Sequence, residues 1–290
     1  MKFGTLYSYW GNRWDCDYFE TARKVRDFGF DILEIGAGHL LDMTDDDITR
    51  LKTLSGDLGL TITSNIGPAK DKDVASPDAS VRKAGIEFLS DIMKAMNRLG
   101  SKVLVGVQYT YWPNDFTDLD KPALWARGVA SVKELAKVAE ACEVQMCLEV
   151  VNRFETHIMN TAAEAMEFCD QVDHKNVSIL LDTFHMNIEE DNIAEAIRSA
   201  GSKLGHLHVG EGNRKVPGEG SLPWSEIGNA LRDIGFDAGV VMEPFYYQGG
   251  PVGRDIKVWR DLSGGASVDE MNRRLARSLE FLKENFTRKV

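Results

Sequence analysis

Eight short apolar runs, near residues 3–7, 31–36, 60–66, 102–108, 145–150, 177–181, 204–209 and 238–242, punctuate this chain at a nearly even interval. About 34 residues separate one run from the next, which is the size of one strand-plus-helix unit. Several runs are apolar without alternation, such as Val103-Leu104-Val105 and Gly239-Val240-Val241-Met242. A strand covered on both faces reads that way, whereas a strand with one wet face alternates. The segments between the runs carry helix signals. Thr44 precedes Asp45, Asp46 and Asp47, and Gly59 follows. Ser76-Pro77 places a cap residue before a proline at the first position of a helix predicted to run to Gly100. Thr161-Ala162-Ala163-Glu164 and Ser267-Val268-Asp269-Glu270 are capping boxes, and Gly29, Gly201 and Gly235 stand where helices should stop. Within 128–141, Val129, Val132, Leu135, Val138 and Ala139 recur at spacings of three and four, an apolar helix face.

Strands alternating with helices require parallel strands joined by right-handed crossovers. Eight such units in 290 residues predict an α/β chain folded as a (β/α)8 TIM barrel, with 1–290 as a single domain. The alternative, a doubly wound open sheet, would want a Gly-x-Gly-x-x-Gly turn after the first strand. Tyr7-Ser8-Tyr9-Trp10 stands there instead.

Charge narrows the function. The chain has 34 Lys+Arg against 45 Asp+Glu, a formal net charge of -11. Nucleic-acid binders draw their affinity from neutralising phosphates, so a nucleic-acid partner is not expected, nor is an anionic membrane surface. A neutral small molecule is compatible with this charge. No apolar run approaches the roughly 18 residues of a membrane span. Met1–Tyr7, followed by polar Asn12, Arg13 and Asp15, does not read as a signal peptide, so the expected compartment is cytoplasmic. Cys16, Cys142, Cys147 and Cys169 contain no Cys-x-x-Cys pair and are expected to be buried apolar fillers. There is no Gly-x-Ser-x-Gly elbow and no phosphate-binding glycine loop.

In a barrel, chemistry sits at the C-terminal ends of the strands. The runs that end at Leu148-Glu149, Leu181-Asp182, Leu207-His208 and Met242-Glu243 finish with three carboxylates and one imidazole on four consecutive strands. Singly, such a residue would be read as a helix cap. Together, carboxylates converging on one barrel mouth repel and desolvate unless a positive charge lies between them. Glu149, Asp182, His208 and Glu243 are therefore candidate ligands of a divalent metal. An oxygen-rich set with one nitrogen and no thiolate suits Mn²⁺, Co²⁺ or Mg²⁺ rather than structural zinc. His206 and His208 point to the same side of a strand. His208 is assigned to the metal, and His206 is expected to be a packed or hydrogen-bonded interior residue. Glu155, His185, Arg214 and Glu211 follow strand ends and could hold hydroxyls. Trp10, Trp14, Tyr109, Tyr111, Trp112 and Phe245 could wall a sugar site.

These segments resemble a known family. Tyr7-Ser8-Tyr9-Trp10, Tyr111-Trp112-Pro113, Leu148 to Glu155, Leu181-Asp182-Thr183-Phe184-His185-Met186-Asn187-Ile188-Glu189-Glu190, Gly205-His206-Leu207-His208, Asn213-Arg214, Val216-Pro217-Gly218 and Met242-Glu243-Pro244-Phe245 are similar to the D-tagatose 3-epimerase and D-psicose (D-allulose) 3-epimerase family of xylose-isomerase-like barrels. The likeness covers essentially the whole chain, including 255–261. It implies metal ligation by Glu149, Asp182, His208 and Glu243, with Glu149 and Glu243 also the catalytic acid–base pair. It implies that Glu155, His185 and Arg214 hold substrate near C1 to C3. Leu6 and Val107, where many members carry an aromatic and a small residue respectively, would line the far half of the pocket; Trp112 and Phe245 at the same mouth are further expected substrate-binding residues. Val209 stands where threonine is common and Glu219 where arginine is common.

The implied reaction interconverts D-fructose with D-psicose, and D-tagatose with D-sorbose. A glutamate falls short of a proton beside a ketone by roughly ten pKa units, on the order of 14 kcal/mol. A placed general base contributes about 10²–10⁴-fold, so a metal-stabilised enediolate is expected to carry much of the rest. The alternative is an aldose–ketose isomerase on the same barrel. An apurinic-site nuclease is disfavoured by the charge, and a non-catalytic sugar binder by the complete carboxylate set. The resemblance implies a homodimer or homotetramer, with Mn²⁺ the most expected metal.

Overall fold

A computed structural model describes residues 1–287. Eight strands, β1 Lys2–Leu6, β2 Ile32–Gly36, β3 Thr61–Asn65, β4 Val103–Gly106, β5 Gln145–Glu149, β6 Val177–Asp182, β7 Leu204–Val209 and β8 Gly239–Met242, close into a barrel in sequence order. Every neighbouring pair is parallel, including β8 against β1. The helices among the described residues are α1 Tyr18–Asp27, α2 Asp45–Asp57, α3 Ala79–Leu99, α4 Lys121–Ala141, α5 Ala162–Val172, α6 Thr183–Glu189, α7 Ile193–Ala200, α8 Trp224–Asp233, α9 Gly250–Asp255 and α10 Val268–Thr287. All eight apolar runs are strands, displaced by at most two residues at an end. The expected TIM barrel is the fold.

The helix signals hold with one correction. Thr44 Oγ1 accepts from the Asp47 backbone N–H, and Thr161 Oγ1 from that of Glu164. Helix α3, however, is capped by Asp78, whose Oδ1 accepts from Ser80 N at 2.7 Å, and not by Ser76. A charged acceptor complements the helix N-terminus better than a hydroxyl, and Ser76 Oγ instead accepts from Asp78 N one step earlier. On α4, Val129, Val132, Leu135 and Ala139 are buried, as their spacing predicts, while Val138 at the edge of that face is half-buried. Cys142, Cys147 and Cys169 are buried; Cys16 is exposed, because it lies in the loop before the α1 cap Asp17 rather than on an element. No helix among the described residues is long and apolar enough to cross a membrane.

Two features of this frame shape the barrel mouth. A short helix, α6, begins directly at the end of β6, ahead of the barrel helix α7. The loop from β7 to α8 folds over Glu211, a fully buried carboxylate that accepts from Gly218 N, Leu222 N and Trp224 Nε1 at 2.8, 3.2 and 2.7 Å. Gly220 lies so close that a Cβ there would meet Glu211 Oε2 at 2.2 Å. The fold of this loop brings Arg214, in a left-handed conformation at φ 66°, back over the mouth.

Candidate active site

Four side chains meet above the closed interior. Glu149 ends β5, Asp182 ends β6, His208 lies on β7 and Glu243 follows β8. One ligand atom from each lies within 4.8 Å of all the others, and every residue is buried. His208 Nδ1 stands 3.6 Å from Glu243 Oε2 and 3.8 Å from Glu149 Oε1. Asp182 divides its carboxylate: Oδ1 accepts from Phe184 N at 2.7 Å and caps α6, while Oδ2 has no hydrogen-bond partner. His208 Nδ1 is likewise buried and unpartnered. An unsatisfied buried polar atom costs about 1–3 kcal/mol. Two of them facing one point among carboxylates is an arrangement a divalent cation satisfies, and the oxygen-rich donor set fits one.

The electrostatics agree. Burial pushes Glu149 up to about 8, with the neighbouring Glu243 charge adding to the effect. Burial also raises Asp182. Burial would lower His208, but the charges of Glu34 and Glu243 outweigh it and hold the imidazole well above its ordinary value. Without metal the cluster thus keeps protons that the unfolded chain would release. A group raised on folding contributes stability at low pH that is lost as pH rises through its folded value. His185 and His206 are lowered, chiefly by burial, and oppose this trend only up to their unfolded value of about 6.5. We therefore expect metal-free protein to lose stability between about pH 6.5 and 8, on the order of 1 kcal/mol per pH unit, and its melting temperature to fall accordingly. Mn²⁺ should flatten that slope, because it displaces the same protons. Thermal unfolding by circular dichroism across this range checks it; a flat or rising metal-free profile contradicts it.

Above the cluster opens a cavity of about 280 Å³, near the small end of small-molecule sites. Leu6, Val107, Trp112, Glu155, His185, Arg214 and Phe245 all line it, together with Glu149 and Glu243. Arg214 Nη2 donates to Glu155 Oε1 at 2.9 Å, and Trp112 Nε1 donates to Glu155 Oε2 at 2.8 Å. Arg214 stacks on Phe184 with its Cζ 3.5 Å from the ring centroid. Burial would raise Glu155, but the charges of His185 and Arg214 hold it below the usual carboxylate range. The Asn152 backbone N–H donates to His185 Nδ1 at 3.1 Å. That nitrogen must therefore accept, and in neutral His185 the proton sits on Nε2, 3.8 Å from Glu149 Oε1 and 3.9 Å from Asp182 Oδ2.

Other expectations place differently. Of the aromatic residues, Trp14, Trp112 and Phe245 wall the cavity. Tyr109 is buried and donates to the Glu149 carbonyl; Trp10 packs against the core and donates to Asn272, away from this cavity; Tyr111 faces a separate cavity with Lys70. Glu211 holds its own loop together, as described above, and does not line the cavity. Strand-end reading finds a residue's position but not its rotamer, which neighbouring loops decide. It also missed Asn65, whose Nδ2 reaches Glu243 Oε1 at 3.4 Å, and His39, which lines the cavity with Tyr18 OH 2.8 Å from its Nδ1. Asn65 ends β3 and was legible by the strand-end rule; His39 lies in a 3-10 turn after β2 with no such signal.

Residues 22–284 match the family model described as a xylose isomerase-like TIM barrel. The chain is 51% identical over 282 residues to a D-psicose 3-epimerase of Ruminiclostridium cellulolyticum, covering 97% of this chain and 96% of that protein. It is 45% identical to a D-psicose 3-epimerase of Agrobacterium fabrum, covering 97% of this chain and 98% of that one. Among solved structures, a D-psicose 3-epimerase with D-tagatose from Clostridium cellulolyticum H10 superposes with a TM-score of 0.97 at 50% identity, covering 99% of both chains.

Proposed function

The chain belongs to the xylose isomerase-like TIM-barrel family and is an isomerase of the ketose 3-epimerase kind, and we propose that it interconverts D-fructose with D-psicose, and D-tagatose with D-sorbose, by inversion at C3. The observation that carries this reading is the placement of Glu149 and Glu243. They come from β5 and β8, the two ends of a four-strand arc, and their carboxylates converge on the same His208 Nδ1, at 3.8 and 3.6 Å. Inversion needs two acid–base groups on opposite faces of one planar intermediate, whereas proton transfer between C1 and C2 needs only one face.

A divalent cation, Mn²⁺ first with Co²⁺ or Mg²⁺ as alternatives, would be held by Glu149, Asp182, His208 and Glu243 and would supply the positive charge that an enediolate requires. One glutamate removes the C3 proton from its face, and the other returns a proton to the opposite face. Burial favours the protonated form of Glu149, so it is suited to give a proton as well as take one. His185 presents an Nε2–H donor to a substrate oxygen. Arg214, pinned by Glu155 and stacked on Phe184, brings a fixed positive charge with its Nη1 3.9 Å from Glu243 Oε2. Trp112 and Phe245 exclude water from the cavity, and Leu6 and Val107 shape the wall against which the far end of the sugar rests. Apolar contacts of that kind discriminate by about 1–3 kcal/mol.

Turnover of D-fructose in heavy water tests the reaction. Deuterium should enter at C3 of D-psicose and of recovered D-fructose, because the donating glutamate exchanges with solvent. Deuterium at C1 with an aldose product would replace this reading by aldose–ketose isomerisation. The same reading takes 1–290 as one domain, supported by the unbroken order β1 to β8. It takes the enzyme as cytoplasmic and as a homodimer or homotetramer, whose interface would cover exposed apolar groups such as Phe154 and Trp259.

A further inference from the structure

We propose that Glu34, on β2, is a positioning residue for the metal site: it holds the Nε2 proton of His208 and thereby keeps the Nδ1 lone pair turned toward Glu149, Asp182 and Glu243. This rests on the reading that those four residues bind a divalent cation. Glu34 is fully buried inside the barrel, in the middle of the apolar run Ile32-Leu33-Glu34-Ile35. A carboxylate there needs partners, and it has two hydrogen-bond partners and one further close imidazole. Its Oε1 lies 2.7 Å from His208 Nε2; its Oε2 accepts from Thr63 Oγ1 at 2.8 Å and lies 3.2 Å from His206 Nε2. Thr63 is the β3 residue in register with Glu34, so the sheet itself sets this contact. His206 is seated by Gly239 on β8, where a Cβ would meet the imidazole Cε1 at 2.7 Å.

The proton assignment follows from donor chemistry. An ionised carboxylate only accepts, so the imidazole nitrogen facing it carries the proton. Neutral His208 then has one lone pair, on Nδ1, 3.6 Å from Glu243 Oε2 and 3.8 Å from Glu149 Oε1. The opposite tautomer would aim an N–H at the cluster and set a lone pair against Glu34. An outer carboxylate of this kind fixes a ligand's tautomer and raises its basicity, and its loss weakens metal binding by about 10–100-fold.

The test is Mn²⁺ affinity and stoichiometry, measured on the full chain by competition with a fluorescent chelator. Glu34→Gln should bind Mn²⁺ about 10–100-fold more weakly than wild type. Thr63→Val, which removes one hydrogen bond to Glu34, should lower the affinity less. An unchanged affinity in Glu34→Gln overturns the proposal. So does wild type that binds two Mn²⁺ per chain and loses one in the variant, since Glu34, His206 and His208 would then be ligands of a second ion. If Glu34→Gln does not fold, nitrogen NMR of histidine-labelled, Mg²⁺-loaded wild type decides. A protonated Nε2 on His208 supports the assignment, and a protonated Nδ1 overturns it. Wild type that binds no divalent cation overturns both this proposal and the reading beneath it, whereas tight binding shared by wild type and variant removes only the role of Glu34.

Discussion

Glu149→Gln and Glu243→Gln should each lower C3 inversion by about 10³-fold or more, the upper part of what a positioned acid–base group contributes. An amide keeps the shape of the carboxylate and cannot carry the proton. The informative outcome is the exchange that survives. With one glutamate left, a proton can still leave and return on the same face, so recovered substrate should gain deuterium at C3 while no epimer forms. The two variants should wash label into opposite epimers, because each retains the carboxylate for one face. Both residues are also candidate ligands, so metal content must be measured beside the rates. Equal, near-wild-type epimerisation in a metal-loaded Glu149→Gln or Glu243→Gln would remove that residue from the proton transfer.

Stripping divalent cations with EDTA should abolish turnover, and Mn²⁺ or Co²⁺ should restore it. The buried, unpartnered Asp182 Oδ2 and His208 Nδ1 are the basis for this expectation. The ion binds a site that exists only in the folded chain, so it should also stabilise the protein, by about 2.7 kcal/mol at a hundred times its dissociation constant. The thermal shift is independent of catalysis. Full activity in protein shown to be metal-free would sink the metal reading, and a missing thermal shift would move the ion to a site formed equally in the unfolded chain.

The barrel was legible because its strands are covered on both faces, which leaves uninterrupted runs such as Val103-Leu104-Val105 at a steady interval. The ligand candidates were legible because a barrel puts strand ends in one place. Glu34 was not found, although a signal exists: an acid inside an otherwise apolar run has to be paired, and His206-x-His208 offers two imidazoles inside another strand. That pairing joins β2 to β7 across the barrel, a contact that reading each strand by itself does not reach. Tyr109, Tyr111 and Glu211 failed for a different reason. They follow strand ends as the rule requires, but the direction of each side chain depends on loop folding, as the turn around Gly220 shows for Glu211.

The order of the closed barrel carries a consequence for engineering. Groups proposed to move protons come from β5 to β8, while Leu6, Ile66 and Val107, on the recognition wall, come from the ends of β1, β3 and β4. The two arcs meet along only two seams, β4 against β5 and β8 against β1. A front half recruited from a relative with different taste in sugars could therefore be joined to this back half as an interchangeable part. Two cross-struts that reach the candidate ligand side chains themselves limit the exchange: Glu34 to His208, and Asn65 to Glu243. Any hybrid that keeps both can trade its palate and retain its engine; a donor half lacking the acid on β2 would arrive with the right pocket and a loosened machine.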